Sequence, residues 1–402
     1  MNSPTSPDRP SLARVLSSTA FATTAGVLPA FLVGSQAVQV QRDLDFGPAL
    51  LGAAVAVSWG AAALLSPTMG RLAERAGGSR SLRAAAVLNG AVMIAVALLA
   101  RNWWQLTMLI GVAGVGNALT QPAANVLMAR TVAPARYGIA FAVKQSAMPF
   151  GTLIGGLAVP LVTLTLGWRW AFAFGGAYAL VAAATVPRTT TADATLPDRR
   201  HERTPPTLDT PLVLLAVFAL GVGLGAAVAS AQTTFLVSGA VESGLREGVA
   251  GLLLMVGSAL GIVSRLANGL RADVRGGGHL RVVALMLLGG AAACATFAIS
   301  EPWSYVVATP LAFAAGWAWP GLFNLAIVRA NPMSPGFATS VTQTGTYIGA
   351  GIGPVAFGLL VGRGGYGWAW LATAVAAVLA AVAVTTGRGR LRALGLATGR
   401  PR

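Results

Sequence analysis

Residues 70–82 read GRLAERAGGSRSL, and residues 269–277 read GLRADVRGG. Each stretch has a glycine, an acid four positions on and a second glycine three beyond that. These are Gly70, Glu74 and Gly77 in the first and Gly269, Asp273 and Gly276 in the second, 199 residues apart. Within one residue, the same displacement carries Pro122 to Pro320, Asn125 to Asn324, Gly138 to Gly336, Gln145 to Gln343 and Gly155 to Gly353. An offset held through so many separate places marks a duplicated unit. The chain therefore reads as two structural copies related by an axis along a membrane normal.

The composition puts both copies in a bilayer. Of 402 residues, 55% are hydrophobic and only 10% charged, with 50 glycines and a mean hydropathy of +0.69, which excludes an ordinary soluble domain. A helix crosses the roughly 30 Å hydrocarbon layer in about 20 apolar residues. Stretches of that kind lie near 13–40, 48–69, 81–100, 104–129, 138–164, 169–187, 210–237, 247–270, 280–300, 304–329, 338–361 and 367–386. The expected fold class is an all-α membrane protein, with twelve transmembrane helices in two pseudo-symmetric six-helix bundles. Residues 1–187 form the first bundle and 210–402 the second, which ends in a basic tail. Between them, 188–209 (RTTTADATLPDRRHERTPPTLD) is the longest polar stretch inside the chain and reads as a flexible linker.

The net charge of +16 is explained by where the arginines fall. With the N-terminus inside, 21 of the 27 arginines lie in cytoplasmic segments, and 5 (Arg42, Arg101, Arg169, Arg246 and Arg363) lie outside. This bias sets both termini in the cytoplasm of a multi-pass protein of the cell membrane. The basic excess thus serves orientation and contact with anionic lipid, not nucleic acid. The polar first 14 residues, followed by a run too long for a signal-peptide core, leave the first helix attached. One cysteine, Cys294, and two histidines, His201 and His279, both in polar connections, offer no metal site, and no cofactor is expected.

With GRLAERAGGSRSL, its weaker copy GLRADVRGG and GWRWAF at 167–172, the chain resembles the major facilitator superfamily over nearly its whole length. Glu74 stands where that family more often has Asp. The resemblance implies a secondary transporter in which Gly70, Glu74, Arg75 and Asp273 belong to charge clusters that latch the cytoplasmic faces of the bundles in the outward-open state. Drug-proton antiporters of the family carry a Gly-Pro glycine motif in the fifth helix. Here that helix has Gly151, Gly155 and Gly156 without the adjacent proline, and Gly353-Pro354 falls in the eleventh.

All twelve acids fall in loops or at helix ends on this topology, so no embedded carboxylate is available for a proton relay. Lys144, the only lysine, lies six residues beyond Gly138 inside the fifth stretch. An ammonium at mid-span costs about 2.5–3.5 kcal/mol. Two readings of it stand: a snorkelling anchor, or a compact charge turned into a central cleft. Its polar neighbours are Gln145 and Ser146, and Asn117, Gln121 and Asn125 share one face of the fourth helix by i, i+4 spacing. Trp317, Trp319 and Asn324 on the tenth helix, and Gln343 and Tyr347 on the eleventh, complete the set. Substrate is expected to bind Lys144, Gln145, Asn125, Gln121, Trp317, Asn324, Gln343 and Tyr347. Gln36 and Gln232 are read as an outer gate or as solvated helix ends, and Arg265 as a snorkelling structural residue.

A cation without an embedded anion leaves an electropositive cleft. The expected function is transport of a small organic anion such as a carboxylate, with proton-coupled multidrug efflux as the alternative. No H-E-x-x-H pair, Ser-His-Asp set or embedded acidic dyad supports an enzyme. The expected partners are the small-molecule substrate, the lipid bilayer and coupling protons, with the chain acting as a monomer.

Overall fold

The computed structural model describes residues 11–132, 140, 143–187, 209–274, 278–333 and 335–395; the proposed linker, save Asp209, lies outside them. Among the described residues the secondary structure is helical throughout and makes twelve spans. In the first bundle these are α1 (Leu12–Ser35), α2 (Pro48–Ala76), α3 (Gly78–Leu99), α4 (Trp103–Thr131), α5 (Val143–Leu166) and α6 (Trp168–Thr185). In the second they are α7 (Leu212–Glu242), α8 (Glu247–Val274), α9 (His279–Phe297), α10 (Pro302–Ala330), then α11 and α12 within Pro335–Ala393. Gly365, at φ +78°, separates the last two, a left-handed turn that glycine adopts without steric cost.

Local chemistry sets the helix ends. The Ser11 hydroxyl accepts the Arg14 N–H at 3.3 Å, Asn102 accepts that of Gln105 at 2.9 Å, and Pro48 opens α2 where its missing N–H costs nothing. Two boundaries differ from the sequence reading. The first stretch is broken at Gln36, after which a short helix, Ala37–Leu44, runs to the turn at Asp45. The glycine-acid motifs are not loops: α2 continues through Gly70, Glu74 and Arg75 to Ala76, and α8 through Gly269 to Val274. Leu, Ala, Glu and Arg favour helix strongly enough to absorb one glycine. What stops α2 is Gly77, at φ +88°.

The odd and even spans run in opposite senses, so the described ends of the chain share one face, here the terminus-bearing face. The bundles pack most closely toward the opposite face. A Cβ on Gly156 of α5 would come 2.6 Å from the carbonyl oxygen of Gly251 on α8, and one on Gly251 would come 2.7 Å from that of Gly156. A Cβ on Gly52 of α2 would lie 2.1 Å from the Pro354 carbonyl oxygen on α11. Only glycine allows backbones this close.

Candidate functional site

Two of the helices facing the other bundle are broken, and in each case the reason is written in the sequence. In α5 the helix turns irregular at Ser146 and resumes as Ala147–Ala158. Pro149 has no N–H, so the Gln145 carbonyl four residues earlier has no helical donor. In α10, a wide π-turn at Ala312–Gly316 and a turn over Trp317–Trp319 precede the restart at Pro320. Trp319 is the first carbonyl of the renewed ladder, accepting from Phe323 N–H at 3.1 Å, which leaves that of Trp317 outside it.

Arg265 of α8 fills both vacancies. Its Nη1 donates to the Gln145 carbonyl at 2.8 Å and its Nη2 to the Trp317 carbonyl at 2.7 Å, with the guanidinium 4.9 Å above the Trp317 ring. The snorkelling expected of Arg265 is therefore corrected: two freed carbonyls and an aromatic face draw it inward. One residue before it, Ser264 Oγ donates to the Ala314 carbonyl in the π-turn at 2.5 Å.

Lys144 sits beside this junction. It is 6% exposed, and its Nζ donates to Asn125 Oδ1 of α4 at 2.7 Å. Along that face of α4 burial falls from Asn117, which is buried, through half-buried Gln121 to exposed Asn125. Polar surface thus opens toward the terminus-bearing face. Gln145, Asn324, Gln343 and Tyr347 are half-buried, and Tyr347 is placed beside Gln343 and Ser66 of α2. Trp317 is buried edge-on to Phe31 of α1 at 6.1 Å, and Trp319 packs inside its own bundle against Phe323 and Gly225.

Among the described residues two ion pairs form, both near the opposite face. Arg42 pairs with Glu247 between the bundles, and Arg169 Nη1 meets Asp43 Oδ2 at 2.6 Å. Neither Lys144 nor Arg265 has a carboxylate within ion-pairing distance among them. Arg265 is thus a second inward-turned cation, where the sequence reading had Lys144 alone.

The glutamines expected near the outer end bond inside their own bundles. Gln36 Nε2 donates to Ser35 Oγ and to the Gly155 carbonyl, each at 3.0 Å, and its Oε1 accepts from Thr163 Oγ1 at 2.5 Å. The Gly155 carbonyl is free because the Val159 N–H turns to Gly156 where the helix widens before Pro160. Gln232 Nε2 donates to Cys294 Sγ at 3.3 Å. Across the bundles, Thr152 and Ser258 hydroxyls meet at 2.7 Å. On the terminus-bearing side Gly70 is half-buried and Glu74 and Arg75 are exposed, and no ion pair joins either among the described residues. Asp273 lies in the last turn of α8, its side chain outside those described.

The arrangement is that of known carriers. The sequence profile of the Major Facilitator Superfamily matches residues 11–332. Over 130 residues the chain is 32% identical to the multidrug resistance protein MdtG of Proteus mirabilis (strain HI4320), an alignment spanning about a third of each protein. Among solved structures, it superposes on a bacterial homolog of the human lysosomal transporter Spinster in an inward-facing, occupied conformation. That match has a TM-score of 0.72 and 16% identity, covering 95% of this chain and 97% of that one. The nucleoside transporter NupG matches with a TM-score of 0.71 and 15% identity, over 93% of this chain and 98% of that one.

Proposed function

The chain belongs to the major facilitator superfamily and is a multi-pass membrane transporter, not an enzyme, and from that premise we propose that it carries a small organic anion, such as a carboxylate, by alternating access. The observation behind this reading is Lys144, whose buried ammonium has the neutral oxygen of Asn125, and no carboxylate, as its partner among the described residues. A buried charge needs a partner, and an anion arriving from solution supplies one. In this reading the carboxylate accepts from Lys144 Nζ while Asn125 holds the ammonium in place. Gln145, Gln121, Asn324 and Gln343 offer amides to orient the remaining polar groups, and Trp317 and Tyr347 pack its apolar part. The nearby guanidinium of Arg265 adds to the positive potential of the cleft.

The arginine distribution supports a cytoplasmic-membrane protein with both termini inside. The terminus-bearing face is then cytoplasmic, and the close packing toward the other face belongs to an inward-facing state. Gly70, Glu74, Arg75 and Asp273 are proposed to latch the cytoplasmic ends when the carrier turns outward, where the exposed Glu74 and Arg75 gain partners. Gln36 and Gln232, near the outer ends of α1 and α7, are assigned to the outer gate as braces of its helices. With every acid in a loop or at a helix end, proton coupling falls to the substrate itself or to Lys144.

The test is uptake into vesicles holding the purified protein, offered a panel of organic anions and of cationic dyes under an imposed proton gradient. Saturable entry or exchange of one anion class is expected. Saturable dye export with no anion movement would establish the second reading, multidrug efflux, which the partial similarity to the Proteus mirabilis protein favours.

A further inference from the structure

We propose that Arg265 is the strut between the bundles: it ties α5 to α8 and α10 in the conformation described here, and its bond to Gln145 must break for the carrier to turn over. The three groups involved divide unevenly. Arg265 and Trp317 belong to the second bundle, whereas Gln145 belongs to the first. When one bundle rocks against the other, the Nη2 bond to Trp317 and the ring contact beneath the guanidinium travel together. The Nη1 bond to Gln145 is the one that is lost. Trp317 thus holds the guanidinium ready, and Gln145 is the contact made in one state.

The acceptor is unusually dependent on that contact. A carbonyl inside an intact helix already has its N–H partner and gains little from a second donor. The Gln145 carbonyl has none in the helix, because position 149 is proline. Leaving a buried polar group without a partner is costly, so the break in α5 makes Arg265 specific for this spot. The geometry also requires arginine. Two donors at fixed separation reach two carbonyls on different helices while the guanidinium plane lies over the Trp317 ring, a combination that the single nitrogen of an ammonium does not reproduce. Gln145 directly follows Lys144, so the strut fixes the segment that presents the ammonium. Arg265 is a positioning residue, and this role does not depend on which substrate is carried.

The experiment measures distances across the terminus-bearing face in the full-length protein. Spin labels are placed at the exposed positions Arg80 of α3 and Arg281 of α9, through Arg80→Cys and Arg281→Cys in a Cys294→Ser background. Arg265→Gln should shift the ratio of long to short distances about tenfold toward the short one, because the state with this bond loses it. Pro149→Ala leaves Arg265 untouched but restores an N–H four residues after Gln145. It should shift the ratio in the same direction and by a smaller factor. A purely structural arginine would lower the unfolding temperature on Arg265→Gln and leave the ratio alone. An unchanged ratio in a folded Arg265→Gln protein, a shift toward the long distance, or no response to Pro149→Ala would each overturn the proposal.

Discussion

The Lys144 ammonium lies 2.7 Å from Asn125 Oδ1, a neutral acceptor nineteen residues back along the chain on the neighbouring helix. A carboxylate in that place would neutralise the charge permanently, whereas an amide orients it and leaves its field intact. Charge-assisted hydrogen bonds contribute about 1.5–3 kcal/mol, so Lys144→Ala should weaken anion binding on the order of ten- to a hundredfold and abolish saturable uptake. Lys144→Arg keeps the charge but spreads it over a fork that Asn125 does not match, and should retain partial activity. Titration calorimetry on detergent-purified protein that elutes as the wild type does would check this. Equal affinity in Lys144→Ala would remove the residue from the site.

Gly156 and Gly251 oppose each other so closely that a methyl on either meets the other's backbone at 2.6 or 2.7 Å. Backbone cannot swing aside as a side chain can, and forcing a methylene into a filled contact costs about 1–3 kcal/mol. Gly251→Ala should therefore part α5 from α8 and favour the state open at the opposite face. A cysteine placed at buried Ser238 of α7 in a Cys294→Ser background reports this through its rate of alkylation by a membrane-impermeant maleimide. The rate should rise several-fold in Gly251→Ala, and the double variant with Gly156→Ala should add less than the sum, since both crowd one contact. A rate equal to that of the parent would show that the glycine contact does not hold this face.

The twelve spans and the duplication were legible in the sequence because each rests on local or periodic information: apolar runs of membrane length, and one offset repeated. The shared face of Asn117, Gln121 and Asn125 was legible for the same reason. The helical state of Gly70 through Arg75 was not, since the apolar stretch ends near residue 69 and only the φ of Gly77 identifies the residue that ends α2. Arg265 was misread because its partners are backbone carbonyls, which look alike in a sequence. A usable signal was nevertheless present, for a proline at 149 marks the carbonyl of 145 as lacking its donor. Which glycine meets which, as Gly156 meets Gly251, depends on how two bundles dock and leaves no trace in either helix alone.

Arg42 and Glu247 form the ion pair that bridges the bundles at the opposite face. The Arg42 side chain is 66% exposed, so the pair contributes no more than about 1 kcal/mol. Glu247→Gln should shift the state ratio less than about fivefold at low salt. The shift should vanish near 1 M salt, where the screening length is about 3 Å. Exchanging the charges, Arg42→Glu with Glu247→Arg, should restore the original ratio. The same pair of spin labels reads each case, and a salt-independent effect would mean that Glu247 acts through packing instead.

Trp370 Nε1 donates to the Tyr305 hydroxyl at 2.8 Å inside a cluster where Phe297 stacks on Tyr305 at 5.0 Å and Trp370 stands edge-on to Phe357 at 4.6 Å. Both partners are fully buried, so removing one leaves the other's polar atom stranded, at about 1–3 kcal/mol. Tyr305→Phe deletes only an oxygen and keeps every ring contact, which isolates this term from packing. It should lower the unfolding temperature by a few degrees, followed by circular dichroism in detergent. Trp370→Phe strands an acceptor and also opens a void, so it should cost more. The double variant should cost less than the two singles together, because neither orphan then remains. Since this cluster lies away from Lys144 and Arg265, substrate affinity should stay at the wild-type value in Tyr305→Phe; a loss of affinity at unchanged stability would place the cluster in the transport path instead.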